Sequence, residues 1–289
     1  MPKISVIMPV LNGEKYLREA IESILGQSFD DFEFIIINDG SVDKTEEIIR
    51  SYKDARIVYI KNDKNLGLSR SFNIGINATK GLYIARMDAD DISLPDRFKK
   101  QMEFLKTHPD IEIVGGKALL INKAGKKIGK LNKPETHVEI KWQSLFSTPL
   151  IHPTVMARAT VLKDNLYDET LYNSEDYELW SRLIFQAGVK LANLPEPVLK
   201  YRVYPESFTQ SLSFNKRQTS AMNAIANIER YTLLSGPEKE IIIRKPHTLR
   251  EVGMVFGLYR RAAKEFQRKE KFKPNLSQYF LTLICGFFL

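Results

Sequence analysis

The chain has 289 residues, 43% hydrophobic and 27% charged, with a formal net charge of +8. That supports one large domain with an appendage or two small domains, and it excludes disorder as the starting expectation. The single cysteine, Cys285, excludes an intramolecular disulfide framework, and Met1-Pro2-Lys3-Ile4 does not open a secretory leader, so the expected setting is a reducing cytoplasm.

In chain order, the apolar run 4–10 predicts a strand ending at Leu11-Asn12, then a helix over 14–25 with Leu17, Ala20, Ile21, Ile24 and Leu25 on one face and Asn12 as its N-cap. A second strand, 34–37, runs into Asn38-Asp39-Gly40-Ser41, and a helix over 43–52 follows. Residues 57–60 predict a third strand, and Asn65 a cap for a helix through Leu68, Phe72, Ile76 and Ala78, stopped by Lys80-Gly81. A fourth strand, 82–85, ends at Asp88-Ala89-Asp90-Asp91, and Pro95 opens a helix over 96–106, where its missing N–H costs nothing. This alternation is the pattern of βαβ units on a parallel sheet.

From 111 to about 204 the pattern loosens into short strands and loops, with a turn at 123–126 and one clear helix, 175–187, stopped by Gly188. That half is expected to shape an acceptor site. Two helices follow, 221–234 and 248–266, separated by Ser235-Gly236-Pro237 and a basic stretch. The expected division is a main α/β domain at 1–212 and a basic helical extension at 213–289.

Residues 244–273 hold ten Lys or Arg against three Glu, and the aromatic, apolar tail 276–289 is shorter than the about 20 residues a bilayer span needs. A basic helix with an apolar tail suits peripheral contact with an anionic membrane; a C-terminal helix packed on the body is the alternative.

Polar residues ending successive parallel strands converge on one crevice outside the carboxyl edge of an open sheet. The run after the first strand, Val10-Leu11-Asn12-Gly13-Glu14-Lys15, lacks the glycine fingerprint of dinucleotide-binding folds, and no Walker-type glycine loop occurs. A diphosphate would need another neutralising group. Asp88 and Asp90, two apart on an extended end, project to the same side, and their hard oxygens suit Mg²⁺ or Mn²⁺ shared with phosphate. The other account of Asp90-Asp91 is an acidic loop before a helix. Asp39-Gly40 is a turn dipeptide, and the Asp39 carboxylate can also accept from the imide N–H of uracil.

Six segments together resemble the inverting, GT-A-fold glycosyltransferases of family 2. They are Ser5-Val6-Ile7-Met8-Pro9-Val10-Leu11-Asn12, Asn38-Asp39-Gly40-Ser41-Val42-Asp43, Asn65-Leu66-Gly67-Leu68-Ser69-Arg70-Ser71-Phe72-Asn73, Ala85-Arg86-Met87-Asp88-Ala89-Asp90-Asp91, His152-Pro153-Thr154-Val155-Met156 and Ser174-Glu175-Asp176-Tyr177-Glu178-Leu179-Trp180. The resemblance implies that 1–212 is the catalytic domain, a Rossmann-like α/β domain with a mixed, mainly parallel sheet and a C-terminal helical extension. It implies Pro9, Val10 and Asn12 on base and ribose, Asp39 on the base, Arg70 and Arg86 near the sugar nucleotide, Asp88 facing ribose or sugar, Asp90 on a Mn²⁺ or Mg²⁺ ion, and Asp176 as catalytic base.

His152 is either a metal or diphosphate contact or a hydrogen-bonded structural residue. Where the family often has Tyr-Arg-x-His, this chain has Tyr201-Arg202-Val203-Tyr204, which puts a histidine contact there in doubt. Ser174 is the expected N-cap of the Asp176 helix, and Trp180 and Arg182, one turn along it, are candidates to meet acceptor or phosphate, with a place in the core as the alternative for Trp180. The implied activity is metal-dependent inverting transfer from a UDP-hexose or UDP-N-acetylhexosamine to a hydroxyl of a glycan or lipid-linked acceptor in cell-surface glycan synthesis. A processive synthase is disfavoured by the lack of a membrane span and of a Gln-x-x-Arg-Trp run. A non-enzymatic basic protein binding membrane or nucleic acid is the alternative from another class; a crevice collecting carboxylates argues against nucleic acid.

Overall fold

Seven consecutive buried residues make Ile4–Val10 (β1) a strand covered on both faces. Ile4, Val6, Met8 and Val10 enter one core and Ile7 the other. The computed structural model describes residues 2–171, 173–205, 214–244 and 249–274. Helix Leu17–Leu25 (α1) follows, then strand Phe32–Asn38 (β2), helix Thr45–Ser51 (α2), strand Ile57–Lys61 (β3), helix Leu68–Ala78 (α3) and strand Tyr83–Arg86 (β4). β3, β2, β1 and β4 lie side by side, all parallel, so the ends of β1, β2 and β4 open on one edge.

The short strand Ile92–Ser93 (β5) and helix Arg97–Thr107 (α4) lead into strand Ile113–Ile121 (β6), which pairs antiparallel with Lys127–Leu131 (β7). Helix His137–Gln143 (α5) precedes a 3₁₀ turn at His152–Thr154, strand Met156–Arg158 (β8), helix Ala159–Asp164 (α6), helix Glu175–Phe185 (α7) and strand Leu191–Arg202 (β9). The nine-stranded sheet runs β3-β2-β1-β4-β8-β6-β9-β5, with β7 on β6. α1, α2 and α4 cover one face. α3, α6 and α7 cover the other.

The looseness expected after residue 111 conceals two long strands. β9 has twelve residues and pairs parallel with β6 despite Pro195 and Pro197, because its register slips between Gly116 and Lys117, where Leu194 and then Pro197 are the partners. A proline needs no ladder hydrogen bond at such an irregularity.

Three helices close the described chain: Phe214–Glu229 (α8), Gly236–Arg244 (α9) and Leu249–Glu270 (α10). α9 stands where a linker was expected. Ser235 donates to Glu238 Oε2 from its backbone N–H (2.9 Å) and its hydroxyl (2.8 Å), so Ser235-Gly236-Pro237 starts a helix instead of separating two. The expected boundary at 212/213 and the tail 276–289 lie outside the described residues. No described helix is long and apolar enough to cross a membrane.

A third core joins the extension to the body. Trp142 of α5 packs edge-on against Tyr259 (5.1 Å) and Phe266 (5.0 Å) of α10, and donates its indole N–H to Tyr259 Oη at 3.3 Å. Tyr177 of α7 belongs to the same cluster. Phe266→Ala is expected to cost about 3–5 kcal/mol. Because that core spans body and extension, urea unfolding followed by fluorescence should shift as one transition, without an early step confined to the extension.

Candidate active site

The ends of β1 and β2 are stitched together by polar groups that the chain carries just beyond each strand. The Asn12 N–H donates to Ser41 Oγ (2.9 Å), and Asn12 Oδ1 accepts from the Val42 N–H (2.9 Å). Asn12 therefore does not cap α1; it holds a left-handed conformation (φ 50°) that locks the β1 end to the β2 loop.

Asp39 is buried, and its carboxylate organises the next loop. Oδ1 accepts from Asn62 Nδ2 (2.8 Å) and the Leu66 N–H (2.9 Å), and Oδ2 from the Gly67 N–H (3.0 Å). An ionised carboxylate has about four acceptor positions, so one on Oδ2 stays free. Gly40 is obligatory beside it: φ is +74°, and a Cβ would sit 2.5 Å from the Lys64 carbonyl carbon.

Beyond β4, carboxylate oxygens of Asp88, Asp90 and Asp91 lie within 4.8 Å of one another. Arg86 Nη1 donates to Asp88 Oδ2 at 2.7 Å, and the guanidinium lies over the Phe72 ring at 4.9 Å. Burial works against its charge, but Asp88 and the other acids around it hold its pKa above the ordinary value. Arg86 Nε is buried without a partner.

Burial first, then Asp88, pushes Asp90 up to about 6, against the pull of the Tyr204 hydroxyl that donates to its Oδ2 at 2.9 Å. Burial, then Asp90 and Asp88, pushes Asp91 well above the carboxylate range. Asp91 Oδ1 accepts from the Arg202 N–H (2.8 Å), whereas its Oδ2 is buried and unpartnered. Three hard carboxylates held together, one with an orphaned buried oxygen, fit a divalent cation.

α7 places Glu175, Asp176 and Glu178 in its first turn, where the helix dipole favours negative charge. Ser174 precedes it in a left-handed conformation (φ 61°) without a capping bond, its hydroxyl 2.5 Å from Ser220 Oγ on α8. Asp176 Oδ2 accepts from Thr148 Oγ1 at 3.1 Å, and Lys133 Nζ donates to the Thr148 carbonyl at 2.7 Å. Burial draws Lys133 down to about 8, with Asp176 pulling the other way.

A cavity of about 1280 Å³ is lined by Pro9, Val10, Asn12, Asp39, Arg70, Arg86, Asp88, Asp90, His152 and Asp176. All the residues singled out for donor, metal and base thus share one space. Within it, exposed Arg70 faces Glu169 at 3.9 Å. His152 stands apart from the three carboxylates: it is buried in the 3₁₀ turn with Nε2 2.7 Å from Tyr167 Oη, and burial and then Arg86 hold its pKa far below the usual histidine value. Trp180 and Arg182 are not at the site. Trp180 is core beneath His152, and Arg182 is tied to Glu178 (2.8 Å) and the Leu166 carbonyl (2.7 Å).

Lys133 and Thr148 join the site without having been singled out. Nothing in 131–150 announced them.

Residues 5–163 match the model of glycosyl transferase family 2. An uncharacterised glycosyltransferase of Methanocaldococcus jannaschii is 42% identical over 208 residues, covering 70% of this chain and 71% of the relative. The O-antigen biosynthesis glycosyltransferase WbnJ of Escherichia coli is 37% identical over 212 residues, covering 72% and 82%. Among solved structures, S. aureus TarS in complex with UDP-GlcNAc aligns with TM-score 0.65 at 18% identity, over 99% of this chain and 89% of that one. The mannosyltransferase PcManGT of Pyrobaculum calidifontis, in complex with GDP-Man and Mn²⁺, aligns with TM-score 0.59 at 15% identity, over 99% and 80%.

The fold is the GT-A fold of nucleotide-sugar glycosyltransferases. The chain belongs to glycosyl transferase family 2, and it is a glycosyltransferase.

The crowded carboxylates have a thermodynamic signature in the metal-free protein. Asp90 and Asp91 bind protons more tightly folded than unfolded, so the stability Asp90 contributes is full below about pH 4 and is lost as pH rises through about 6, and that of Asp91 is likewise lost as pH rises through its own raised value. Asp90→Asn is therefore expected to raise the melting temperature at pH 7.5. Scans between pH 7.5 and 4 should show that gain shrinking toward zero.

Proposed function

We propose that this glycosyltransferase moves one hexose or N-acetylhexosamine from a UDP-sugar to an acceptor hydroxyl, with inversion, during synthesis of a cell-surface glycan. The observation that carries it is the single cavity shared by Asp39, Asp88, Asp90 and Asp176. The UDP-GlcNAc bound by TarS and the O-antigen role of WbnJ support donor and setting.

The chain's own groups divide the work. The free acceptor position on Asp39 Oδ2 takes the imide N–H of uracil, while its other bonds hold the 62–67 loop. Pro9 and Val10 wall the base, and Asn12 fixes the edge beside it. Arg86 and Arg70 offer positive charge to the sugar nucleotide. Asp88, Asp90 and Asp91 would hold Mn²⁺ or Mg²⁺, which when bound supplies Lewis-acid neutralisation of the departing diphosphate.

Asp176 is the base. Thr148 occupies Oδ2, leaving Oδ1 for the proton of the acceptor hydroxyl. Asp176 takes that proton late, once the bond to the diphosphate is stretched. The hydroxyl oxygen attacks the anomeric carbon from the face opposite the leaving group, so an α-linked donor gives a β-linked product. The leaving diphosphate needs no protonation, so the site needs no second, acidic carboxyl group.

The exposed basic residues Arg250, Arg260 and Lys264 of α10 suit peripheral contact with an anionic membrane.

A thermal-shift panel of UDP, GDP, CDP and dTDP, each with and without Mn²⁺, tests the donor. UDP should stabilise most, and Mn²⁺ should add to its effect at pH 7.5 more than at pH 5, because protons compete for Asp90 and Asp91. Stabilisation by GDP alone would overturn the uracil assignment. Asp176→Asn should lower the transfer rate by about 10²–10⁴-fold with UDP affinity nearly unchanged. A large loss of UDP affinity instead would mark Asp176 as a donor contact.

A further inference from the structure

The cavity is larger than a donor site alone requires. Ligand pockets commonly enclose about 300–1,000 Å³, and this one reaches about 1280 Å³ because it continues past Asp176 into the C-terminal helices. On the nucleotide side the charged groups of Asp39, Arg86, Asp88 and Asp90 stand with Pro9 and Val10. The helical extension adds mainly apolar walls, Ala224 of α8, Ile242 of α9, and Val255 and Leu258 of α10, with Phe146 beside them and Ser220 and Arg244 as polar members. Asp176 joins the two linings, because α7 packs against α8.

One cation sits at that junction. Lys133 lines the same cavity and gives one of its three ammonium protons to the Thr148 carbonyl. A half-buried ammonium ion with donors to spare, beside a base and before an apolar chamber, suits an anionic oxygen attached to an apolar chain. α10 fits the same occupant from outside. Its inner residues Val255 and Leu258 face the chamber, and Arg260 and Lys264 are exposed, so one helix presents an apolar side to a lipid chain and a basic side to the anionic surface that would deliver it.

We propose that the acceptor is lipid-linked through phosphate, that its apolar chain occupies the chamber lined by Phe146, Ala224, Ile242 and Leu258, and that Lys133 contacts the phosphate. This rests on the reading that Asp176 marks the acceptor side. The chamber then selects acceptors by the chain they carry, independently of the sugar at their head.

Alkyl phosphates are the probes, titrated calorimetrically into the full chain below their micelle concentrations, with and without saturating UDP and Mn²⁺. Affinity should rise about fourfold for each buried methylene from butyl to decyl phosphate, and UDP should not displace the ligand. Lys133→Met should abolish the preference for octyl phosphate over octanol, an expected change of about tenfold. Ala224→Phe should weaken decyl phosphate and leave butyl phosphate alone. Ile242→Asn serves the same purpose should the phenylalanine disturb the fold, with the UDP thermal shift as the control for folding.

Affinity independent of chain length, displacement by UDP, or chain-length dependence that survives both chamber variants would overturn the proposal. No transfer is measured in these titrations, so they fail or succeed separately from the Asp176→Asn experiment.

Discussion

The site turns on mutual repulsion. Asp88, Asp90 and Asp91 are brought together at the end of a buried strand, where burial and like charge both oppose ionisation of Asp90 and Asp91, and among the described residues only Asp88 of the three has a salt-bridge partner. Arg202 reinforces the arrangement with its backbone on Asp91 and its Nε on the Asp90 carbonyl (2.8 Å), while its guanidinium lies 4.2 Å from the centre of the Tyr16 ring. The protein spends stability to keep a concentrated negative centre, and a centre of that kind has its natural complement in a divalent ion shared with phosphate. The rest of the cavity is built around it: the β1 and β2 ends contribute Val10, Asn12 and Asp39 to its wall, and α7 contributes Asp176.

Much of this was legible in the sequence, for a physical reason. β1 and β2 are buried on both faces, so they appear as unbroken apolar runs, and their polar terminators fall on the same edge because the strands are parallel. Asp39, Asp90 and Asp176 could be picked out because each immediately follows or opens such an element. β6 and β9 were illegible for the converse reason. Gly115-Gly116 and Pro195-Glu196-Pro197 break the apolar periodicity, and only the slipped register between the two strands makes them compatible with a sheet. Lys133 and Thr148 sit in connections without periodicity, and what brings them to Asp176 is the packing of α5 and its loop, a long-range event that no local pattern announces.

Capping shows the same division. Asn12 and Ser174 have the chemistry of N-caps, yet both take left-handed backbones and bond across to other segments, Asn12 to the 41–42 loop and Ser174 to Ser220. Local preference proposed one partner and tertiary structure supplied another. At Ser235 local preference prevailed, and the apparent spacer became the start of a helix.

Tyr177 ties two regions that a modular view would separate. It follows Asp176 directly, packs into the core formed with α8 and α10, and donates its hydroxyl to the Ser144 carbonyl at 2.9 Å. The orientation of Asp176, the base of the proposed reaction, is thus inherited from the packing of α8 and α10. Exchanging those helices for the corresponding segment of a homologue would retune catalysis along with acceptor choice, and a chimera that preserved the crevice but ignored this seam would bind donor normally while turning over poorly.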